Sequence, residues 1–125
     1  MTDLELTRRV IGAAIEVHKS LGPGLLESAY QDCLLHELAF SGMDFESQVR
    51  VAVEYKGMVV SDAYRVDVLV ENRLVVELKA VEQILPLHKA QVLTYLRLLK
   101  REVGLLINFN SILLKDGIHR IVNTL

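Results

Sequence analysis

With 125 residues, 51% hydrophobic and 24% charged, the chain has the length of one domain and the composition of a globular protein rather than a disordered one. No apolar run reaches the ~18–20 residues of a membrane helix, and the polar residues 1–9 do not open a signal peptide; the expectation is one domain over residues 1–125, cytoplasmic, with no membrane partner. A net charge of −2 excludes the broadly basic surface that grips duplex DNA by its phosphates, and a lone cysteine, Cys33, excludes a disulfide framework or a cysteine-rich zinc site.

Residues 4–21 carry Leu6, Val10, Ala13, Ala14, Val17 and Leu21 at three- and four-residue spacing, which predicts an amphipathic helix. Gly22-Pro23-Gly24 stops it, because proline cannot continue a helix and glycine accepts left-handed backbone angles. Residues 25–40 predict a second helix, with Leu26, Ala29, Tyr30, Cys33, Leu34 and Leu38 on its apolar side. The pattern then alternates. Residues 48–55 and 58–61 flank Lys56-Gly57, and residues 64–70 and 74–79 flank Glu71-Asn72-Arg73, predicting two hairpins. Helical spacing returns over residues 87–100, with Pro86 suited to the first turn; Leu96, Leu98 and Leu99 there suit either the core or a homodimer interface. An apolar run at residues 103–109 and a short segment at 117–122 predict the last strands. The expected architecture is α/β or α+β, a mixed central sheet flanked by helices.

The second hairpin, YRVDVLVENRLVVELKA, puts charges inside its most apolar segments. A turn centred on Asn72 sets Asp67 opposite Glu77 and Arg65 opposite Lys79 on one face with Leu69 and Val75, leaving Val66, Val68, Val76 and Leu78 for the other. Directly opposed like charges are destabilising. They call for a shared proton, a neighbouring protein cation or a bound metal, and Mg²⁺ prefers such oxygen ligands. Lys79 emerges beside them, where it would stabilise an anionic transition state or orient a water. The competing arrangement is a solvated face with Asp67 paired to Arg65 and Glu77 to Lys79.

Asp67 followed by Glu77-Leu78-Lys79 resembles the metal-binding signature of the PD-(D/E)XK nuclease superfamily, with Val66 standing where the name has proline. Gln91 and Tyr95, four residues apart on the following helix, resemble the glutamine-and-tyrosine motif of its RecB-like members. Gly24-Leu25-Leu26-Glu27-Ser28-Ala29-Tyr30, preceded by Val17-His18 and Leu21-Gly22-Pro23, resembles the signature of the GxxExxY family, a mostly bacterial branch of that superfamily. The resemblance implies a restriction-endonuclease-like core and Mg²⁺ (or Mn²⁺). It assigns Asp67, Glu77, the Leu78 backbone carbonyl and Glu27 to the metal, and Lys79 to the transition state or the attacking water. Gln91 and Tyr95 would touch substrate phosphate or support Lys79. Tyr30 and His18 are neighbouring candidates, although a tyrosine on an apolar helix face is commonly core and a lone histidine at a helix end commonly binds a carbonyl.

The chemistry so implied is metal-dependent hydrolysis of phosphodiester bonds in nucleic acid, DNA ahead of RNA. The alternative is a non-catalytic or partner-dependent module that keeps the nuclease fold for nucleic-acid or protein binding, as the acidic net charge and small size would suit.

Overall fold

A computed structural model describes residues 1–124; Leu125, the last residue of the expected domain, lies outside the described residues. The first helix, α1 (Asp3–Leu21), begins where Thr2 and Glu5 cap each other: Glu5 N–H donates to the Thr2 hydroxyl at 3.1 Å and Thr2 N–H to the Glu5 carboxylate at 2.9 Å. It ends at Gly22, whose φ of 69° favours glycine. The second helix, α2 (Glu27–Phe40), starts later than the apolar pattern predicts. Leu26 caps it from outside the helical register and is 78% exposed, so it does not join the apolar side that spacing gave it.

Strands β1 (Phe45–Tyr55) and β2 (Met58–Val70) form one long antiparallel hairpin around Lys56-Gly57. The two segments expected at 58–61 and 64–70 are a single strand. Between the pairs Val51↔Tyr64 and Val53↔Val60, only Ala52 intervenes on β1 but Ser61, Asp62 and Ala63 intervene on β2, a bulge in which Asp62 takes a positive φ of 55°. After the Glu71-Asn72 turn, β3 (Leu74–Lys79) pairs antiparallel with β2 in the register centred on Asn72: Val68↔Val76, Leu69↔Val75 and Val70↔Leu74. Helix α3 (Pro86–Leu99) crosses over to β4 (Val103–Asn108), which lies parallel to β3, and β5 (Ile118–Val122) closes the sheet antiparallel to β4. The sheet order is β1-β2-β3-β4-β5. None of the described helices is long and apolar enough to cross a membrane.

Each face of the sheet has its own core. Leu6, Val10, Tyr30 and Leu34 from α1 and α2 pack on Val68, Val76, Leu78, Leu105 and Ile107. On the other face Val92, Tyr95 and Leu96 from α3 pack on Val66, Leu69, Val75 and Leu106. Burying each such side chain contributes roughly 1.5–3 kcal/mol. Gly104 lets α3 approach closely, since a Cβ there would meet Val92 Cγ1 at 2.9 Å. Leu96 is buried, and Leu98 and Leu99 pack half-buried against the same core.

Val66 corrects the alternation expected for β2. It lies with Leu69 and Val75 on the α3 face, not with Val68, Val76 and Leu78. The break sits at Gln48, which has a positive φ of 52° and lies between the pairs Ser47↔Val68 and Val49↔Val66. Phe45 before it packs on the α1/α2 core, whereas Val49 and Val51 after it pack with α3. Asp67 is the residue across from this break.

Candidate active site

Beyond Val68↔Val76 the β2–β3 ladder stops, and carboxylates take the place of backbone carbonyls. Asp67 N–H donates to Glu77 Oε1 at 2.8 Å, and Leu78 N–H donates to Asp67 Oδ2 at 2.9 Å. Two strands that would otherwise continue pairing are held apart by their own acids, each bonded to the opposite backbone. Because the N–H and C=O of one strand residue point to the same side, the Leu78 carbonyl faces this gap as well. Lys79 O accepts Phe109 N–H at 2.9 Å on the β4 side, as alternation requires.

Glu77 is 3% exposed. Burial first, and the Asp67 carboxylate second, push its carboxyl up to about 8; the Asp67 N–H bond and Lys79 pull the other way without matching them. The ion pairs among the described residues are Lys19–Glu16, Arg50–Asp62 and Arg73–Asp3. Neither Asp67–Arg65 nor Glu77–Lys79 is among them: Arg65 is exposed and stands across from Arg50.

Three elements bring the remaining groups in. Glu27 opens α2, where burial and then the Asp67 charge raise its carboxyl while Lys79 lowers it. The Lys79 Nζ lies 3.5 Å from Gln91 Oε1 on α3. One turn on, Tyr95 is 3% exposed and meets Tyr64 edge-on, with ring centroids 5.7 Å apart. Its phenol is pushed up to about 12, by burial and then by Glu77 and Asp67. Tyr95 is therefore both a core aromatic and a neighbour of the carboxylates.

Tyr30 and His18 do other work. The Tyr30 ring is fully buried and stacked on Phe109 at 4.6 Å; its hydroxyl donates to Gly22 O at 2.6 Å and accepts Leu25 N–H at 3.0 Å. These bonds fasten the loop ahead of α2 and so fix where Glu27 starts, which gives the Gly24…Glu27…Tyr30 spacing a physical reason. Tyr30→Phe is expected to cost about 1–2 kcal/mol in urea unfolding, because Leu25 N–H and Gly22 O lose their common partner, while Tyr30→Ala costs more by emptying the core. His18 Nε2 lies 2.8 Å from Ser111 O and tethers α1 to the loop after β4. His88 Nδ1 accepts Leu85 N–H at 3.0 Å and caps α3.

Two contributors carried no signal in the spacing. Gln48 Nε2 lies 3.4 Å from Asp67 Oδ1 and 3.0 Å from Gln31 Oε1. Asn108 is 4% exposed; it donates to Val81 O at 2.9 Å and accepts Val81 N–H at 3.1 Å, pinning the chain just after Lys79 to β4. An asparagine inside the 103–109 apolar run was the available clue.

The donor set suits a hard divalent cation. Asp67 and Glu77 each commit one oxygen to a backbone N–H, the other oxygen of Asp67 meeting only the Gln48 amide at 3.4 Å; the Leu78 carbonyl faces the same gap, and neither acid is in an ion pair among the described residues. Among the described residues, however, no group of three or more His, Cys, Asp or Glu side chains converges to hold an ion. Glu27 is felt electrostatically by Glu77 but is not drawn into a three-acid cluster.

The profile of the PD-(D/E)XK nuclease superfamily matches residues 4–121, and the chain belongs to that superfamily. Its five-stranded mixed sheet with three helices agrees with the restriction-endonuclease-like fold. No curated protein matches it, and no solved structure does.

Proposed function

We propose that the protein is a divalent-metal-dependent nuclease of the GxxExxY branch, hydrolysing phosphodiester bonds in DNA, or secondarily RNA, at the Asp67–Glu77 gap. The observation that carries this reading is the reciprocal bonding of Asp67 and Glu77 across splayed strands, with Lys79 alongside. Asp67, Glu77 and the Leu78 carbonyl would hold Mg²⁺ or Mn²⁺, which when bound activates water and neutralises phosphate charge. Lys79, steadied by Gln91, offsets the negative charge that develops on the phosphoryl oxygens. Glu27, with its raised carboxyl, takes up a water proton, and Tyr95 lines the approach.

The test is cleavage of labelled single- and double-stranded DNA and RNA. Wild type is expected to cut in Mg²⁺ or Mn²⁺, to stop in chelator and to recover when metal is added back, whereas Asp67→Ala is inert under every condition. Equal residual cutting by the two proteins would end the proposal.

The absence of a three-acid cluster among the described residues favours one second reading, a nuclease-fold module used for binding alone. Calorimetric titration separates them: the enzyme takes up Mg²⁺ at millimolar concentration with wild type only, and the binding module shows no heat.

A further inference from the structure

Beside the carboxylates lies a cleft of about 440 Å³ whose walls come from β2 and α3: Tyr64 on one side, Leu87, Ala90 and Gln91 on the other, with Lys79 and Tyr95 at its inner end. That volume is in the range that takes a small organic group, roughly 300–1,000 Å³. Its lining is largely aromatic and aliphatic, with Lys79, His88, Gln91 and Thr94 as its polar members. His88 Nδ1 is taken by Leu85 N–H and the Thr94 hydroxyl donates to Ala90 O, so a phosphate would meet chiefly the Lys79 ammonium, whereas a nucleobase has faces for stacking and edges for hydrogen bonds. Two details point the same way. Tyr64 remains 40% exposed although it meets Tyr95, and Leu87 is 75% exposed on the first turn of α3, so apolar surface is left open at the cleft. Gln91 has its Oε1 towards Lys79, and its amide N–H₂ has no bond among the described residues, leaving a donor for a base carbonyl.

We infer that this cleft receives one unpaired base, stacked on Tyr64, of the nucleotide whose phosphate lies at Lys79, so that the preferred substrate is single-stranded or frayed nucleic acid. The inference rests on the nuclease reading above for the placement of the phosphate. A base inside a duplex is stacked and paired, and reaching such a cleft costs a few kcal/mol of extrusion; a single strand avoids most of that cost. The faces and edges described are common to DNA and RNA bases.

Fluorescence anisotropy with end-labelled oligonucleotides tests it, comparing DNA and RNA single strands with a blunt DNA duplex in Ca²⁺, on wild type, Tyr64→Ala and Tyr64→Phe. Tyr64 is partly exposed and outside the catalytic set, and the phenylalanine variant keeps the ring should the alanine variant disturb the hairpin. The expected result is single strands bound at least about 10-fold tighter than duplex. Tyr64→Ala should lose about 10- to 100-fold on single strands and nothing on duplex, with Tyr64→Phe unchanged. Equal binding of single strand and duplex, no single-strand binding by wild type, or a Tyr64→Ala loss shared by both substrates overturns it. Cleavage of the same oligonucleotides in Mg²⁺ separates the two claims. Cutting that ignores Tyr64 removes the base site and leaves the nuclease, while Tyr64-dependent binding without cutting removes the nuclease and leaves a single-strand site.

Discussion

Lys79→Ala is expected to lower metal-dependent cleavage by about 10²–10³-fold while leaving the fold intact, the effect typical of deleting one preorganised charge or donor at a developing oxyanion. Lys79 ends β3, and its backbone carbonyl stays bonded to Phe109 N–H whatever the side chain is. Among the described residues its ammonium has one hydrogen bond, at 3.5 Å to the half-buried Gln91, which water can replace, so the stability change should stay within about 1 kcal/mol. The same lysine lowers the carboxyls of Glu77 and Glu27. Removing it lets both rise further, so the residual activity should have its acid limb displaced to higher pH. A pH–rate profile beside a urea melt checks the claim. A variant that melts like wild type and cuts within tenfold of it would mean that Lys79 faces no reacting phosphate.

The parts of this site that could be read from sequence are the local ones. The register of the second hairpin follows from a short turn between two alternating segments, and the pairs Val68↔Val76, Leu69↔Val75 and Val70↔Leu74 all centre on Asn72 as spacing predicts. Gln91 and Tyr95 are one helical turn apart, so their common side follows from the period of the helix. What spacing could not supply is non-local. Glu27 lies 40 positions before Asp67 in the chain, and only the family resemblance, not periodicity, could put the start of α2 near the hairpin. The change of facing between Val68 and Val66 was illegible because it accompanies an irregularity in the neighbouring strand, at Gln48, that leaves the composition and register of both strands unchanged. The bulge at Asp62 had the opposite effect: an interruption of the pattern looked like a gap between strands, although the pairing resumes two residues out of step.

Glu77 gives the last expectation, because the arrangement that makes it a metal ligand also makes it a liability without metal. Its carboxyl is raised from the usual 4.5 to about 8 in the fold, by burial first and by Asp67 second. The folded chain therefore holds a proton there that the unfolded chain has already released, and stability falls with rising pH across that window. The contribution is fully present below about 4.5 and is lost as pH passes about 8. At roughly 1.4 kcal/mol per unit the loss is on the order of a few kcal/mol, enough to see in Tm. In chelator, wild-type Tm should decline from pH 5 to pH 8.5, and Glu77→Gln, which keeps an oxygen for Asp67 N–H, should show that decline no longer. Millimolar Mg²⁺ should restore wild-type Tm at the alkaline end, since a divalent cation supplies the charge the acid pair lacks, and should do much less for Glu77→Gln. A wild-type Tm that stays level across this range in chelator, or a decline that survives the glutamine substitution, would show that Asp67 and Glu77 are not the strained pair on which metal capture depends.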